Sequence, residues 1–121
     1  MQHNPGFLKL VHEARSRVKT CTVDEAKAML DGGQAVHFLD IREDHEFALD
    51  HAKGARHLGK GIIERDIESV IADGRAPVIL YCGGGYRSVL AADALQRMGY
   101  TQVLSMDGGI KAWKAAGYPM E

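Results

Sequence analysis

Apolar residues recur at helical spacing near the start of the chain: Phe7, Leu10, Val11, Ala14 and Val18 fall on one face. Pro5-Gly6 precedes them as a start signal, so residues 7–18 read as an amphipathic helix that packs on the domain or serves a partner. Residues 19–22 suit a short strand. Thr22-Val23-Asp24-Glu25 then places a hydroxyl at an N-cap and a carboxylate at N3, a capping box. It predicts a helix to Leu30 that Gly32-Gly33 ends. A buried strand follows over 35–41, a short helix over 43–49 and a short strand over 55–58. Residues 62–71 carry Ile63, Ile67, Val70 and Ile71 on one helical side. The run Pro-Val-Ile-Leu-Tyr-Cys over 77–82 is continuously apolar, as a strand covered on both faces must be. Residues 86–98 are helical, with Ala91, Ala94, Leu95 and Met98 inward and Asp93 paired to Arg97. A last strand over 103–106 precedes a helix over 110–116, stopped by Gly117 and Pro119.

Five strands thus alternate with helices, which predicts an α/β domain: a central, mainly parallel five-stranded sheet flanked by helices on both faces. With 121 residues there is one domain, large enough to fold without a metal or a disulfide. We divide it into an N-terminal helical extension, 1–18, and a main unit, 19–121. The net charge of −1 and 45% apolar content argue against disorder and against nucleic-acid binding. No apolar run approaches a membrane span, and the N-terminus has no signal-peptide pattern. A cytoplasmic protein with Cys21 and Cys82 reduced is the expectation.

In parallel sheets the site lies beyond the carboxyl ends of the strands. One such end reads Cys82-Gly83-Gly84-Gly85-Tyr86-Arg87-Ser88. The glycines let successive amides converge on one point, as in an anion-binding nest. The helix that follows adds unpaired N–H groups and partial positive charge, and Arg87 adds a full one. All three favour a thiolate, the form in which cysteine is a nucleophile. Cys21 has no such loop and reads as structural.

This loop resembles the active-site loop of single-domain rhodaneses, the thiosulfate sulfurtransferases. Asp40-Ile41-Arg42 with Glu46-Phe47 is similar to that family's motif after its second strand. His51, Gly54 and Ala55 match the approach to its third strand. Gly108-Gly109-Ile110-Lys111-Ala112-Trp113 and Gly117-Tyr118-Pro119 are similar to its C-terminal signature. The match runs over about residues 19–120, and the N-terminal helix lies outside it. Two positions depart from it: the family often has glycine at Asp50 and a branched aliphatic at Ala52, and we expect these to alter a surface turn only.

The resemblance implies a rhodanese-like fold and a two-step reaction. Cys82 takes the outer sulfur of thiosulfate, a small anionic donor, as a persulfide and passes it to a thiol or to cyanide. Gly83, Gly84, Gly85, Tyr86, Arg87 and Ser88 would bind the donor, and Asp40 and Arg42 would support the loop. No cofactor and no metal are implied. Six residues from Cys82 to Arg87 match the sulfurtransferase loop, where cell-division-type tyrosine phosphatases have seven; phosphatase or arsenate reductase is the minor alternative. A persulfide carrier or interaction module, served by a sulfur-relay protein and turning over little free thiosulfate, is the other; a catalytically dead module is a third. A monomer or weak homodimer is expected. Trp113 reads as core.

Weaker patterns were weighed against these. Gly83-x-Gly85-x-x-Ser88 with Asp107 mimics a dinucleotide fingerprint, but only 14 residues follow Asp107. The segment from Gly54 to Lys60 mimics a P-loop, with Gly61 where Ser or Thr should stand. His45-Glu46 mimics a zinc helix, with Leu49 where the second histidine belongs.

Overall fold

The computed structural model describes residues 3–121. Its helices are α1 (Pro5–Arg15), α2 (Val23–Asp31), α3 (Asp44–Leu49), α4 (Ile63–Val70), α5 (Arg87–Arg97) and α6 (Gly109–Ala115). The strands are β1 (Lys19–Cys21), β2 (His37–Asp40), β3 (Arg56–His57), β4 (Val78–Tyr81) and β5 (Val103–Met106). They form one sheet in the order β1-β5-β4-β2-β3, with every neighbouring pair parallel. β2 is shorter than the run over 35–41 predicts. Its partner β4 offers no pairing before His37↔Val78, and Val36 is taken into a turn through Gln34 O.

Side chains alternate between faces along a strand. On one face Leu39, Val78 and Leu80 pack with Ile63 and Ile67 of α4 and Leu95 of α5. On the other Phe38, Ile79 and Tyr81 pack with Ala26 of α2 and with Ile110 and Trp113 of α6. Each such large apolar side chain contributes about 1.5–3 kcal/mol by leaving water. The predicted capping box is formed: Glu25 N donates to Thr22 Oγ1 and Thr22 N to Glu25 Oε1.

α5 is covered twice, by the sheet and by α1. Val11 and Ala14 bury themselves against Val89, and Arg17 grips Asp93 through two hydrogen bonds of 3.0 and 2.9 Å. Asp93 also meets Arg97, the pairing expected one turn on. The helix stripe is narrower than the periodicity suggests: Leu10 remains 56% exposed. Ala52 corrects the expectation of a surface turn. It is fully buried, and its amide donates to the Tyr81 hydroxyl. Asp50 is nearer the surface and pairs with Lys114 at 2.8 Å.

Candidate active site

β4 hands Cys82 to the α4 and α5 face of the sheet. The chain then turns through Gly83-Gly84-Gly85, and α5 begins at Arg87 with Tyr86 as its N-cap. Helix-terminal amides lack partners of their own. Here Gly85 N donates to Cys82 Sγ at 3.2 Å and Ser88 N at 3.4 Å. The Ser88 hydroxyl lies 3.5 Å from the sulfur and 2.7 Å from the Ser105 hydroxyl, and both serines are fully buried. Of the three glycines, Gly85 carries the strict requirement. Its φ is +97°, and a Cβ there would stand 3.0 Å from Gly108 N. A Cβ on Gly84 would meet nothing closer than the Tyr86 ring at 3.9 Å.

The loop is held from beneath by the start of α6. Ile110 N donates to Cys82 O at 2.9 Å and Lys111 N to Gly83 O at 3.2 Å. This contact explains Gly109, whose φ is +55° and whose Cβ would lie 2.3 Å from Cys82 O. The glycine pair 108–109 therefore approaches the other loop's backbone.

Arg87 is less free than its position in the first turn implies. Its guanidinium makes two bonds to Glu46, at 3.0 and 3.3 Å. That pairing holds the Glu46 carboxyl below the usual carboxylate range and raises Arg87 in turn. Glu46 also accepts from Glu43 N at 2.9 Å, so one carboxylate caps α3 and restrains the loop arginine. Along the sequence Glu46 stands out only within the family motif. Its local signal was a glutamate three residues after Glu43, as in a capping pair.

Asp40 and Arg42 stand elsewhere. They form a buried ion pair of 2.8 Å, and Asp40 Oδ2 accepts the Tyr81 hydroxyl at 2.6 Å. Arg42 also donates to Asp50 O. By alternation Phe38 and Tyr81 face α2 and α6, the side opposite Cys82, and Asp40 points the same way. Their bonds thus tie the chain between α3 and β3 to β4, one residue before the cysteine, and not to residues 83–88. Burial and Asp40 push the Tyr81 hydroxyl well above the ordinary tyrosine range.

A cleft of about 1010 Å³ opens above the loop, with Cys82 at its floor. His45, Glu46 and Lys111 of α6 also line it. His3 and Phe7 line it too, alongside Tyr86. The N-terminal segment thus reaches the site, which its apolar stripe did not reveal: periodicity says that a helix packs, not where. Gly54 forms a turn leading to β3, so that segment holds no P-loop. His51 and His57 stack on Phe47. Among the described residues no group of His, Cys, Asp and Glu is placed to hold a metal ion.

A cysteine at the end of a parallel strand, held by a glycine loop ahead of a helix, places the chain in a class of α/β proteins built around one loop-held thiol. Within that class the Rhodanese-like domain model matches residues 22–116, and the chain belongs to the rhodanese-like family. Thiosulfate sulfurtransferase GlpE of Vibrio cholerae serotype O1 is 39% identical over 99 residues, 82% of this chain and 91% of that protein. The protein of the same name from Pseudomonas fluorescens is 35% identical over 106 residues, 88% and 93% of the two chains. Among solved structures, a Rhodopseudomonas palustris protein of unknown function, described as a possible tyrosine phosphatase, is 30% identical with a TM-score of 0.89. It covers all of this chain and 98% of its own, so the likeness includes α1. Among the described residues no helix is long and apolar enough to cross a membrane.

Proposed function

We propose that the protein is a sulfurtransferase that moves sulfane sulfur from thiosulfate or a related donor to a thiophilic acceptor through a Cys82 persulfide. One observation carries the reading: the Gly85 and Ser88 amides converge on Cys82 Sγ at the floor of the cleft. Two relatives that bear the name thiosulfate sulfurtransferase support it.

The Cys82 thiolate attacks the outer sulfur of thiosulfate. A new S–S bond forms, the S–S bond of the donor breaks, and sulfite leaves with the electron pair. The negative charge passes from Cys82 Sγ to the outer persulfide sulfur beside the same loop, and preorganised donors stabilise such charge at no reorganisation cost. An acceptor thiolate or cyanide attacks the outer persulfide sulfur and releases the Cys82 thiolate. Arg87, held by Glu46, presents its charge at the rim, where the sulfonate oxygens of the donor must lie. Gly83, Gly84 and Tyr86 shape the remaining wall. Asp40 and Arg42 act at a distance, by anchoring Tyr81 beside Cys82.

Intact mass after thiosulfate treatment tests this. Wild type should gain one sulfur atom, Cys82→Ser none, and thiocyanate formation in the presence of cyanide should fall by at least about a thousandfold in Cys82→Ser. Equal turnover by both would refute the reading. A wild type that thiosulfate cannot load, but a protein persulfide can, would make it a persulfide carrier. Phosphate-ester hydrolysis dependent on Cys82 would move it to the phosphatases.

A further inference from the structure

The cleft is far larger than the reaction requires. Cavities of about 300–1,000 Å³ bury drug-sized ligands, and this one measures about 1010 Å³. A thiosulfate ion would occupy a small corner above Cys82. The remaining space has a distinct chemistry. The His3 ring lies 4.4 Å from the Tyr86 ring and 5.3 Å from Phe7, and Phe7 lies 6.2 Å from Tyr86. All three line the cleft and are only half-buried. The three rings are tilted by 43–51° to one another, within the range of favourable aromatic contacts.

The Phe7 and Tyr86 part of this wall is preorganised. Phe7 stands on α1, and α1 is pinned to α5 by Val11 and Ala14 against Val89 and by the Arg17–Asp93 pair. Tyr86 is the residue at which α5 begins. A rigid surface needs little ordering when a ligand arrives. Lys111, Arg87 and Cys82 line the same cleft, so the aromatic rings share it with two cations and the sulfur. That combination suits a donor with an anionic sulfonyl group and an aromatic body.

We propose that His3, Phe7 and Tyr86 are specificity-determining residues that favour aryl thiosulfonates over inorganic thiosulfate as sulfane donors; this rests on the sulfurtransferase reading above. The Cys82 thiolate would form a bond to the outer sulfur of the thiosulfonate. The bond between that sulfur and the sulfonyl sulfur breaks, and the arylsulfinate leaves with the electron pair. Charge and atoms balance without an oxidant or a proton.

The test compares kcat/KM for benzenethiosulfonate and thiosulfate in wild type, Phe7→Leu, Phe7→Ala and Leu10→Ser. Phe7→Leu keeps the apolar bulk that α1 needs and removes the ring, so it stands even where Phe7→Ala fails to fold. The benzenethiosulfonate-to-thiosulfate ratio should drop about three- to tenfold in Phe7→Leu. Leu10→Ser, on the exposed side of the same helix, should keep the wild-type ratio. In wild type, benzenesulfinate should inhibit more strongly than methanesulfinate. An unchanged ratio in Phe7→Leu, an equal drop in Leu10→Ser, or equal inhibition by the two sulfinates would overturn the proposal. Failure of both donors to load Cys82 in wild type would instead overturn the sulfurtransferase reading beneath it.

Discussion

The two cysteines occupy matching places in different surroundings. Each stands at the carboxyl end of a parallel strand, shortly before a helix, and each is almost wholly buried, Cys21 at 4% and Cys82 at 1% exposure. Behind Cys21 the chain enters α2 at once, and Thr22 claims the helix's free amide through its hydroxyl. Nothing is left to face the sulfur except the core. Burial, with Glu25 and Asp107 nearby, pushes the Cys21 thiol up to about 12. Four residues separate Cys82 from α5, enough slack for the loop to fold back until the Gly85 and Ser88 amides point at the sulfur. A cleft then gives access from outside. Burial silences a thiol unless the backbone replaces the lost water with donors.

The largest test of that contrast is alkylation. At pH 8 Cys21 holds about one thiolate in ten thousand, given a thiol that titrates near 12. Iodoacetamide should modify Cys82 at least about a hundredfold faster than Cys21, read by peptide mass. Comparable rates would erase the distinction drawn here.

The next test removes the support that only the Cys82 loop enjoys. Gly109→Ala sets a Cβ 2.3 Å from Cys82 O at a φ of +55°. It should cost about 3 kcal/mol or more in denaturant unfolding, with loss of alkylation selectivity. Gly84→Ala, in open surroundings, should stay within about 0.5 kcal/mol of wild type.

The smallest effect concerns the hydroxyl pair. Ser105 bonds Ser88, and Ser88 reaches Cys82. Loss of one such bond is worth about 0.5–1.5 kcal/mol, so Ser105→Ala should slow Cys82 alkylation about two- to tenfold. Cys21→Ala should leave that rate unchanged. A Ser105→Ala rate equal to that of wild type would make Ser105 mere packing.

Much of the fold and the loop around Cys82 were legible along the chain. Helical spacing and a continuous apolar run marked the alternating elements, and Thr22–Glu25 gave the start of α2 as observed. Cys82 and its loop stood out because glycine repeats after a buried strand have few other uses. Glu46 was harder, since its role depends on Arg87 reaching it across 41 positions of sequence. Asp40 and Arg42 carried a strong motif but no address. The alternation of side chains along β2 and β4, once paired in register, directs Asp40 away from the cysteine.

Local structure needs only neighbours in sequence, and so the chain alone determined its strands, its helices and the glycine loop that brings amides to Cys82. Distance between remote segments follows from how those elements pack. Only the tertiary structure decided that α6 braces the loop, that Glu46 restrains Arg87, and that Phe7 on α1 reaches a cleft built around residue 82. Each of these contacts joins residues whose separation in the chain carries no periodic signal, because packing of whole faces, and not propensity, brings them together.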